Sequence, residues 1–120
     1  MPKIMLIEDD STMLSLLTTL LGMEGFTVSA VGDDKKENII KIIHQELPDV
    51  LLTDVNLRQC NGLDLVTSLR QDSELKNIHI LMTSGLNLNT ECKQAGADEF
   101  IQKPYMPDDL IGLIRKVLQN

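Results

Sequence analysis

Ile4-Met5-Leu6-Ile7-Glu8-Asp9-Asp10 is a short apolar run that stops at three consecutive acids. Three other runs stop in the same manner at polar residues of different kinds: Val50-Leu51-Leu52-Thr53 at Asp54, Ile78 to Met82 at Thr83, and Phe100-Ile101-Gln102 at Lys103-Pro104. Each of these end residues is of a type that handles phosphate or a divalent cation. If the runs are parallel strands of one sheet, their C-terminal ends share an edge, with neighbouring strands about 4.8 Å apart. Residues scattered over the chain then meet in one place.

Between the runs the period changes to helical spacing and back, five times over, which is the pattern of an alternating α/β fold. The first helix begins at Asp10 or Ser11, either able to cap exposed N–H groups, and carries Met13, Leu14, Leu17, Leu20 and Leu21 on one face. Gly25 is placed to end it. Phe26 to Ala30 alternates as a second strand, and Asp33 or Asp34 is expected to cap a second helix. The buried stripe of that helix reads Ile39, Ile40, Ile43 and Leu47, stopped by Pro48. A third helix follows Gly62 with Leu65, Val66 and Leu69 on its apolar side. A fourth, around Asn89 to Ala95, has only Leu88, Cys92 and Ala95 to bury, so it is the helix expected to pack most thinly and to move. The fifth starts with Pro107, places Asp108 and Asp109 where the helix dipole favours anions, and buries Leu110, Ile111, Ile114, Val117 and Leu118.

Strand polarity sets an expected order. Runs one, three and four are nearly solid, as interior parallel strands are, whereas run two and run five (Glu99-Phe100-Ile101-Gln102) alternate and belong at the edges. Right-handed crossovers then favour a five-stranded parallel sheet in the order 2-1-3-4-5 with five helices around it, a doubly wound, flavodoxin-like arrangement. The order reverses between strands one and three, and the ligand crevice of an open α/β sheet lies beyond the strand ends at that reversal. Those ends carry Glu8-Asp9 and Asp54.

The 120 residues make one domain, 1–120, large enough to bury a core without disulfides or structural metal. A net charge of −7 favours cations or basic partners and argues against nucleic-acid binding by this chain alone. Cys60 and Cys92 are far apart with no CxxC spacing, which reads as plain thiols in a reducing compartment. Only four apolar residues stand between Lys3 and Glu8, too few for a signal-peptide core, and the apolar stretch from Met13 to Leu21 is broken by Ser15, Thr18 and Thr19. A soluble cytoplasmic protein with no membrane partner is expected.

Three carboxylates within a few ångströms repel one another by roughly 4 kcal/mol per close pair at an effective dielectric near 20. Either one acid stays protonated or a hard divalent cation neutralises them, and a few carboxylates plus waters and a phosphate is how proteins bind Mg²⁺. Lys103 and Thr83 favour the cation, because a point positive charge and a hydroxyl donor are a phosphate's partners. An acid pair, a third acid, a hydroxyl and a lysine form a phosphoryl-transfer constellation with Asp54 as candidate nucleophile.

Over essentially its whole length the chain resembles the receiver domain of bacterial two-component response regulators. The resemblance rests on Ile-Glu-Asp-Asp-Ser at 7–11, Asp54 followed by Gly62, Thr83-Ser84-Gly85, Gly96-Ala97-Asp98 and Lys103-Pro104, all in order and at the family's intervals. It implies a phosphoacceptor rather than an enzyme, with Asp54 taking a phosphoryl group from the phosphohistidine of a histidine kinase or phosphotransfer protein. It implies Mg²⁺ ligated by Asp9, the Asp54 carboxylate and the main-chain carbonyl of Asn56, with Glu8 acting through a water. Lys103 then pairs with Asp54 and afterwards with the phosphoryl oxygens, Thr83 turns its hydroxyl to the new phosphate, and Phe100 swings inward. The face of helix four, strand five and helix five changes as a result and is read by an output partner. Arg58 stands where the family usually has proline after a hydrophobic residue, here Leu57, and adds a positive charge to the loop beyond Asp54. Gly85 leaves no side chain to hold or exclude an attacking water, and the second-helix region is divergent.

Taken singly, each feature has a plainer reading. The acids at 8–10 can cap the first helix, Asp54 can be a turn residue, Thr83 a strand-end hydroxyl, Lys103 a surface charge and Phe100 an edge aromatic. Their joint register is what favours chemistry. His44 and His79 have no carboxylate or nucleophile at catalytic spacing and receive no role. A flavodoxin-like electron carrier needs a Ser/Thr/Gly-rich phosphate loop and aromatics around the flavin, but the loop here is acidic and the aromatics are only Phe26, Phe100 and Tyr105. A phosphatase lacks an evident general acid beside Asp54. The remaining alternative is a receiver-shaped interaction module that does not accept phosphate.

Overall fold

The computed structural model describes residues 1–32 and 34–119. Strands and helices alternate: β1 (Lys3–Ile7), α1 (Ser11–Met23), β2 (Thr27–Val31), α2 (Lys36–Glu46), β3 (Val50–Asp54), α3 (Gly62–Gln71), β4 (His79–Ser84), α4 (Asn89–Ala95), β5 (Glu99–Gln102) and α5 (Pro107–Leu118). All five strands are parallel in one sheet of order β2-β1-β3-β4-β5, as the alternation of the two edge runs requires.

Within the solid apolar runs the two-residue period still sorts side chains to opposite faces. Ile4 and Leu6 of β1, with Val50 and Leu52 of β3, face α1 and α5, where Leu17, Leu21, Leu110, Ile114 and Val117 cover them. Met5, Ile7, Leu51, Ile80 and Met82 face the opposite side and pack against Ile39, Ile43, Leu65, Val66, Leu69 and Cys92 of α2, α3 and α4. The three central strands are therefore buried on both faces, and their polar residues (Lys3, Thr53, Asp54, His79, Thr83 and Ser84) stand at or next to the strand ends.

Local chemistry sets the boundaries. Asp10 caps α1, its Oδ1 accepting from the backbone N–H groups of Thr12 at 2.9 Å and Met13 at 3.1 Å. Gly25 follows the helix at φ +92°, a left-handed turn that glycine makes without steric cost. At α2 the expected cap is displaced: Asp33 lies outside the described residues, and the capping position falls to Lys35, which makes no side-chain cap bond. Asp34, one residue earlier, instead accepts from Lys35 N at 2.7 Å and Asn38 Nδ2 at 3.1 Å. Leu47 is not part of the buried stripe. It ends α2 in a left-handed conformation ahead of Pro48, so its side chain leaves the helical register and is 58% exposed, while Ile40 and Ile42 pack at the core margin. Phe26 likewise precedes β2, which starts at Thr27.

Arg70 ties three segments together. It donates to the carbonyls of Gly96, Lys76 and Ile78 at 2.8, 2.7 and 2.7 Å and to Asp98 Oδ2 at 3.0 Å. It thereby fixes the end of α3 against the turn that leads into β5. Cys60 and Cys92 are buried and are not joined in a disulfide. Burial, helped by Glu91, pushes the Cys92 thiol up to about 11, so Cys92 is an inert core residue.

Candidate functional site

Four loops meet at the C-terminal edge of the sheet. Register explains the meeting: Ile7 lies beside Thr53 and Asp54 beside Thr83, so the residues that follow β1 and those that end β3 and β4 come level with one another. Beyond the sheet the ladder continues, Val55 N donating to Thr83 O at 2.9 Å and Lys103 N to Ser84 O at 2.8 Å, which brings the start of the β5–α5 loop to the same edge. Glu8, Asp9 and Asp54 each offer an oxygen within 4.8 Å of the other two. Glu8 is 6% and Asp54 7% exposed, whereas Asp9 stands at the rim.

Lys103 closes the pocket from the far side. Its Nζ donates to Asp54 Oδ2 at 2.7 Å and to Glu8 Oε2 at 3.2 Å. The other oxygens of both acids are held by main chain: Asp54 Oδ1 accepts from Asn56 N at 3.0 Å, and Glu8 Oε1 from Asp10 N at 3.2 Å. Burial, and to a smaller degree the Asp54 charge, lifts the Glu8 carboxyl above its ordinary range although Lys103 and the Asp10 N–H pull it down. For Lys103 burial works against the ammonium, but Asp54 and then Glu8 outweigh it and the net direction is up, so the cation is secure at neutral pH.

Gly62 shapes the loop between β3 and α3. Its N–H donates to Val55 O at 2.8 Å, and a side chain there meets the Asp54 carbonyl oxygen and, at 2.8 Å, the Val55 Cα. Only glycine permits so close an approach to the backbone that carries Asp54. Asn61 caps α3 through Leu63 N and Asp64 N at 2.8 and 3.3 Å and pairs with Asn56 as an isolated bridge, closing the loop on itself.

Behind the acids is a small void lined by Leu6, Ile7, Glu8, Leu17, Leu52, Asp54, Thr83 and Tyr105. Thr83 Oγ1 and Tyr105 Oη are buried and have no hydrogen-bond partner among the described residues. An unsatisfied buried hydroxyl costs about 1–3 kcal/mol, and such groups in native proteins call for a functional account. Burial raises the Tyr105 phenol further, with Lys103 opposing and Glu8 and Asp54 adding to the rise, so it is a neutral donor facing the acids.

The sequence-expected residues thus come together with one exception of place. Glu8, Asp9, Asp54, Asn56, Thr83 and Lys103 share the pocket, while Phe100 stands on β5 in register with Met82, half-buried against the core on the α2–α4 side. Tyr105 was not singled out in the sequence, although it stands two residues past Lys103 and is one of three aromatics. His44, which has no carboxylate at catalytic spacing in the sequence, meets two acids in the fold: its Nε2 lies 2.7 Å from Asp72 Oδ2 and its Nδ1 3.2 Å from Glu74 Oε2. Those acids are 28 and 30 residues away in sequence, on the connection from α3 to β4.

The oxygen donors suit a hard divalent cation. Ligands opposite each other on Mg²⁺ are about 4.2 Å apart, twice the metal–oxygen distance of about 2.1 Å. Carboxylate oxygens within 4.8 Å of one another need little movement to reach that spacing. Three acids against one close lysine also leave net negative charge for the metal to neutralise.

The response regulator receiver domain profile matches residues 4–115 of this sequence. The chain belongs to the receiver domain family. This receiver domain is 35% identical to the transcriptional regulatory protein CpxR of Escherichia coli, over 100% of this chain and 50% of that protein. It is 28% identical to the probable transcriptional regulator ycf27 of Guillardia theta, over 98% of this chain and 46% of the other. The chain spans about half the length of the curated relatives it matches. Among solved structures, a response regulator from Chloroflexus aurantiacus superposes with a TM-score of 0.91 at 27% identity, over 100% of both chains. The chemotaxis response regulator CheY4 of Vibrio cholerae shares the fold, with a TM-score of 0.88 at 24% identity over 98% of each chain. A receiver domain is a component of two-component signalling and is generally not classed as an enzyme. The trio of Glu8, Asp9 and Asp54 is consistent with the phosphoacceptor site of such a domain. Among the described residues no helix is long and apolar enough to cross a membrane.

Proposed function

We propose that residues 1–120 act as one cytoplasmic receiver unit that takes a phosphoryl group onto Asp54 from the phosphohistidine of a histidine kinase or phosphotransfer protein, in a Mg²⁺-dependent reaction. The observation that carries this is the Asp54 carboxylate, with one oxygen on Lys103 at 2.7 Å, the other on Asn56 N at 3.0 Å, and Glu8 and Asp9 beside it.

Asp9, the Asp54 carboxylate and the Asn56 carbonyl would hold Mg²⁺, with Glu8 acting through a water. The bound cation supplies the positive charge that lets an anionic phosphoryl group approach three acids. An Asp54 oxygen forms the new bond to phosphorus while the phosphorus–nitrogen bond of the donor breaks. The bonding pair goes to the imidazole nitrogen, which leaves as neutral imidazole when the other ring nitrogen carries a proton. Lys103 orients the Asp54 carboxylate beforehand and meets the phosphoryl oxygens afterwards.

Thr83 is the responding group. Its Oγ1 has no partner to surrender, so a bond to a new phosphoryl oxygen is a net gain that biases the domain toward a second conformation. Phe100 then moves inward, and the α4–β5–α5 face, with its seven-residue α4, is rearranged for an output partner. CpxR and ycf27 are named as transcriptional regulators and carry about as much chain again outside the matched half. The net charge of −7 argues against nucleic-acid binding by this chain alone.

A second reading, a receiver-shaped interaction module without phosphate chemistry, draws on Arg58, whose Nε lies 3.7 Å from Asp9 Oδ2 at the metal position. Incubation with acetyl phosphate and intact-mass spectrometry separates the two. The active receiver gains one labile phosphoryl group in Mg²⁺, none in EDTA, and none in Asp54→Ala; an unchanged mass in Mg²⁺ supports the inert module.

A further inference from the structure

Arg58 is anchored to reach across the mouth of the pocket. The loop that carries it is closed at its base by Gly62 N on Val55 O at 2.8 Å and by the bridge between Asn56 and Asn61. From there its Nε lies 3.7 Å from Asp9 Oδ2, and Arg58 and Gln59 line a groove with Glu8, Asp9, Ser11, Leu14 and Gly32. The guanidinium therefore joins the β3–α3 loop to the β1–α1 loop directly over a carboxylate that the metal needs.

We propose that Arg58 is an intrinsic counter-cation to Asp9, a positioning residue that competes with Mg²⁺ and sets the metal concentration at which this receiver becomes competent. The inference rests on the reading of Asp9 as a metal ligand. In the metal-free domain Arg58 offsets part of the repulsion among Glu8, Asp9 and Asp54, so the pocket tolerates its own charge without a cation. Metal entry displaces the guanidinium from Asp9, and the displaced charge remains nearby. At 82% exposure the Arg58 side chain sits in a water-like dielectric, so the competition is modest and sensitive to salt. One positive charge and a divalent ion about 6 Å apart in water, with partial screening, correspond to roughly a three- to tenfold loss of Mg²⁺ affinity.

The test is a Mg²⁺ titration of the metal-free domain, followed by calorimetry and by amide shifts of residues 8–10 and 54–58, in low salt and in about 0.5 M salt, where screening is short-ranged. Arg58→Ala and Arg58→Gln are expected to bind Mg²⁺ three- to tenfold more tightly than the parent chain in low salt, and the gain shrinks in high salt. Arg58→Lys, which keeps the charge, stays within about twofold of the parent at this solvent-exposed position. Equal or weaker binding by Arg58→Ala overturns the inference, as does an Arg58→Lys that behaves like Arg58→Ala, because a loop-shape role treats both alike. Binding by the parent that is unaffected by Arg58 sinks this inference alone. Absence of Mg²⁺ binding in the parent and in every variant sinks the metal reading and the inference with it.

Discussion

Lys103→Met removes the ammonium from between two buried carboxylates while keeping most of the chain's length and apolar stem. The parent contacts are 2.7 Å to Asp54 and 3.2 Å to Glu8, and at those separations the gross Coulomb attraction of each pair is about 5–6 kcal/mol at an effective dielectric near 20. Much of that gross attraction is spent on desolvating the charges, and stripping one partner from a buried pair costs roughly 3–5 kcal/mol in practice. Two features lower the figure here. The Lys103 side chain is 25% exposed, and the Glu8 carboxyl, already raised by burial, relieves the variant by taking up a proton. A loss of about 2–3 kcal/mol is expected in EDTA near neutral pH, a substantial share of a domain stability of about 5–15 kcal/mol. Urea melts of the parent and the variant measure it. The loss shrinks as pH falls and Glu8 protonates, and it shrinks when excess Mg²⁺ supplies the missing charge. A loss below about 0.5 kcal/mol, in the range of exposed ion pairs, or one indifferent to both pH and metal, refutes the account of Lys103 as the internal counter-charge.

Gly62→Ala drives a methyl group into the Asp54 carbonyl and the Val55 backbone, so thermal melts are expected to show a loss of at least about 1–3 kcal/mol and NMR a displaced 54–58 loop. Thr83→Val replaces a buried, unpartnered hydroxyl with a methyl of similar shape; a gain of about 1 kcal/mol in urea melts is expected, together with loss of the amide-shift response of residues 83–105 to a phosphoryl mimic. A destabilised Thr83→Val shows instead that the hydroxyl is satisfied in the resting state. His44→Gln tests the clip to Asp72 and Glu74. The hydrogen bond that His44 donates to the Asp72 carboxylate leads the effects that raise the imidazole, so the folded state binds a proton more tightly than the unfolded chain. Its stabilisation is full below the unfolded value of about 6.5 and disappears as pH rises through the folded value. The parent should therefore lose more stability than His44→Gln between about pH 6 and pH 9, and parallel pH profiles contradict the clip.

The sheet was legible in the sequence because burial on both faces leaves a parallel strand almost nothing but apolar residues, and the two alternating runs had only the edges left to occupy. The pocket was legible for a related reason: parallel strands put their C-terminal ends together, so Glu8, Asp9, Asp54, Thr83 and Lys103 converge once the order is known. What was not legible depends on where a side chain points after a turn. Leu47 fits the helical stripe by spacing alone, and its left-handed backbone takes it out of the stripe. His44 lies on an outward face, and nothing in its own neighbourhood announces Asp72 and Glu74 on a connection about 30 residues on. Arg58 stood out as an added charge, but its target, Asp9, is set by loop closure at Gly62 and Asn61 rather than by spacing. Tyr105 enters the sequence reading only as one of three aromatics, and its hydroxyl becomes notable only when burial leaves it without a partner among the described residues.

The central claim is that an oxygen of Asp54 becomes an acyl phosphate. Borohydride reduces an aspartyl phosphate to homoserine while leaving free carboxylates untouched, so treating the acetyl phosphate and Mg²⁺ reaction with borohydride and sequencing the peptides by mass spectrometry locates the acceptor directly. The account predicts conversion at position 54 alone, dependent on Mg²⁺. Conversion at another acid, or none anywhere in the chain, contradicts it.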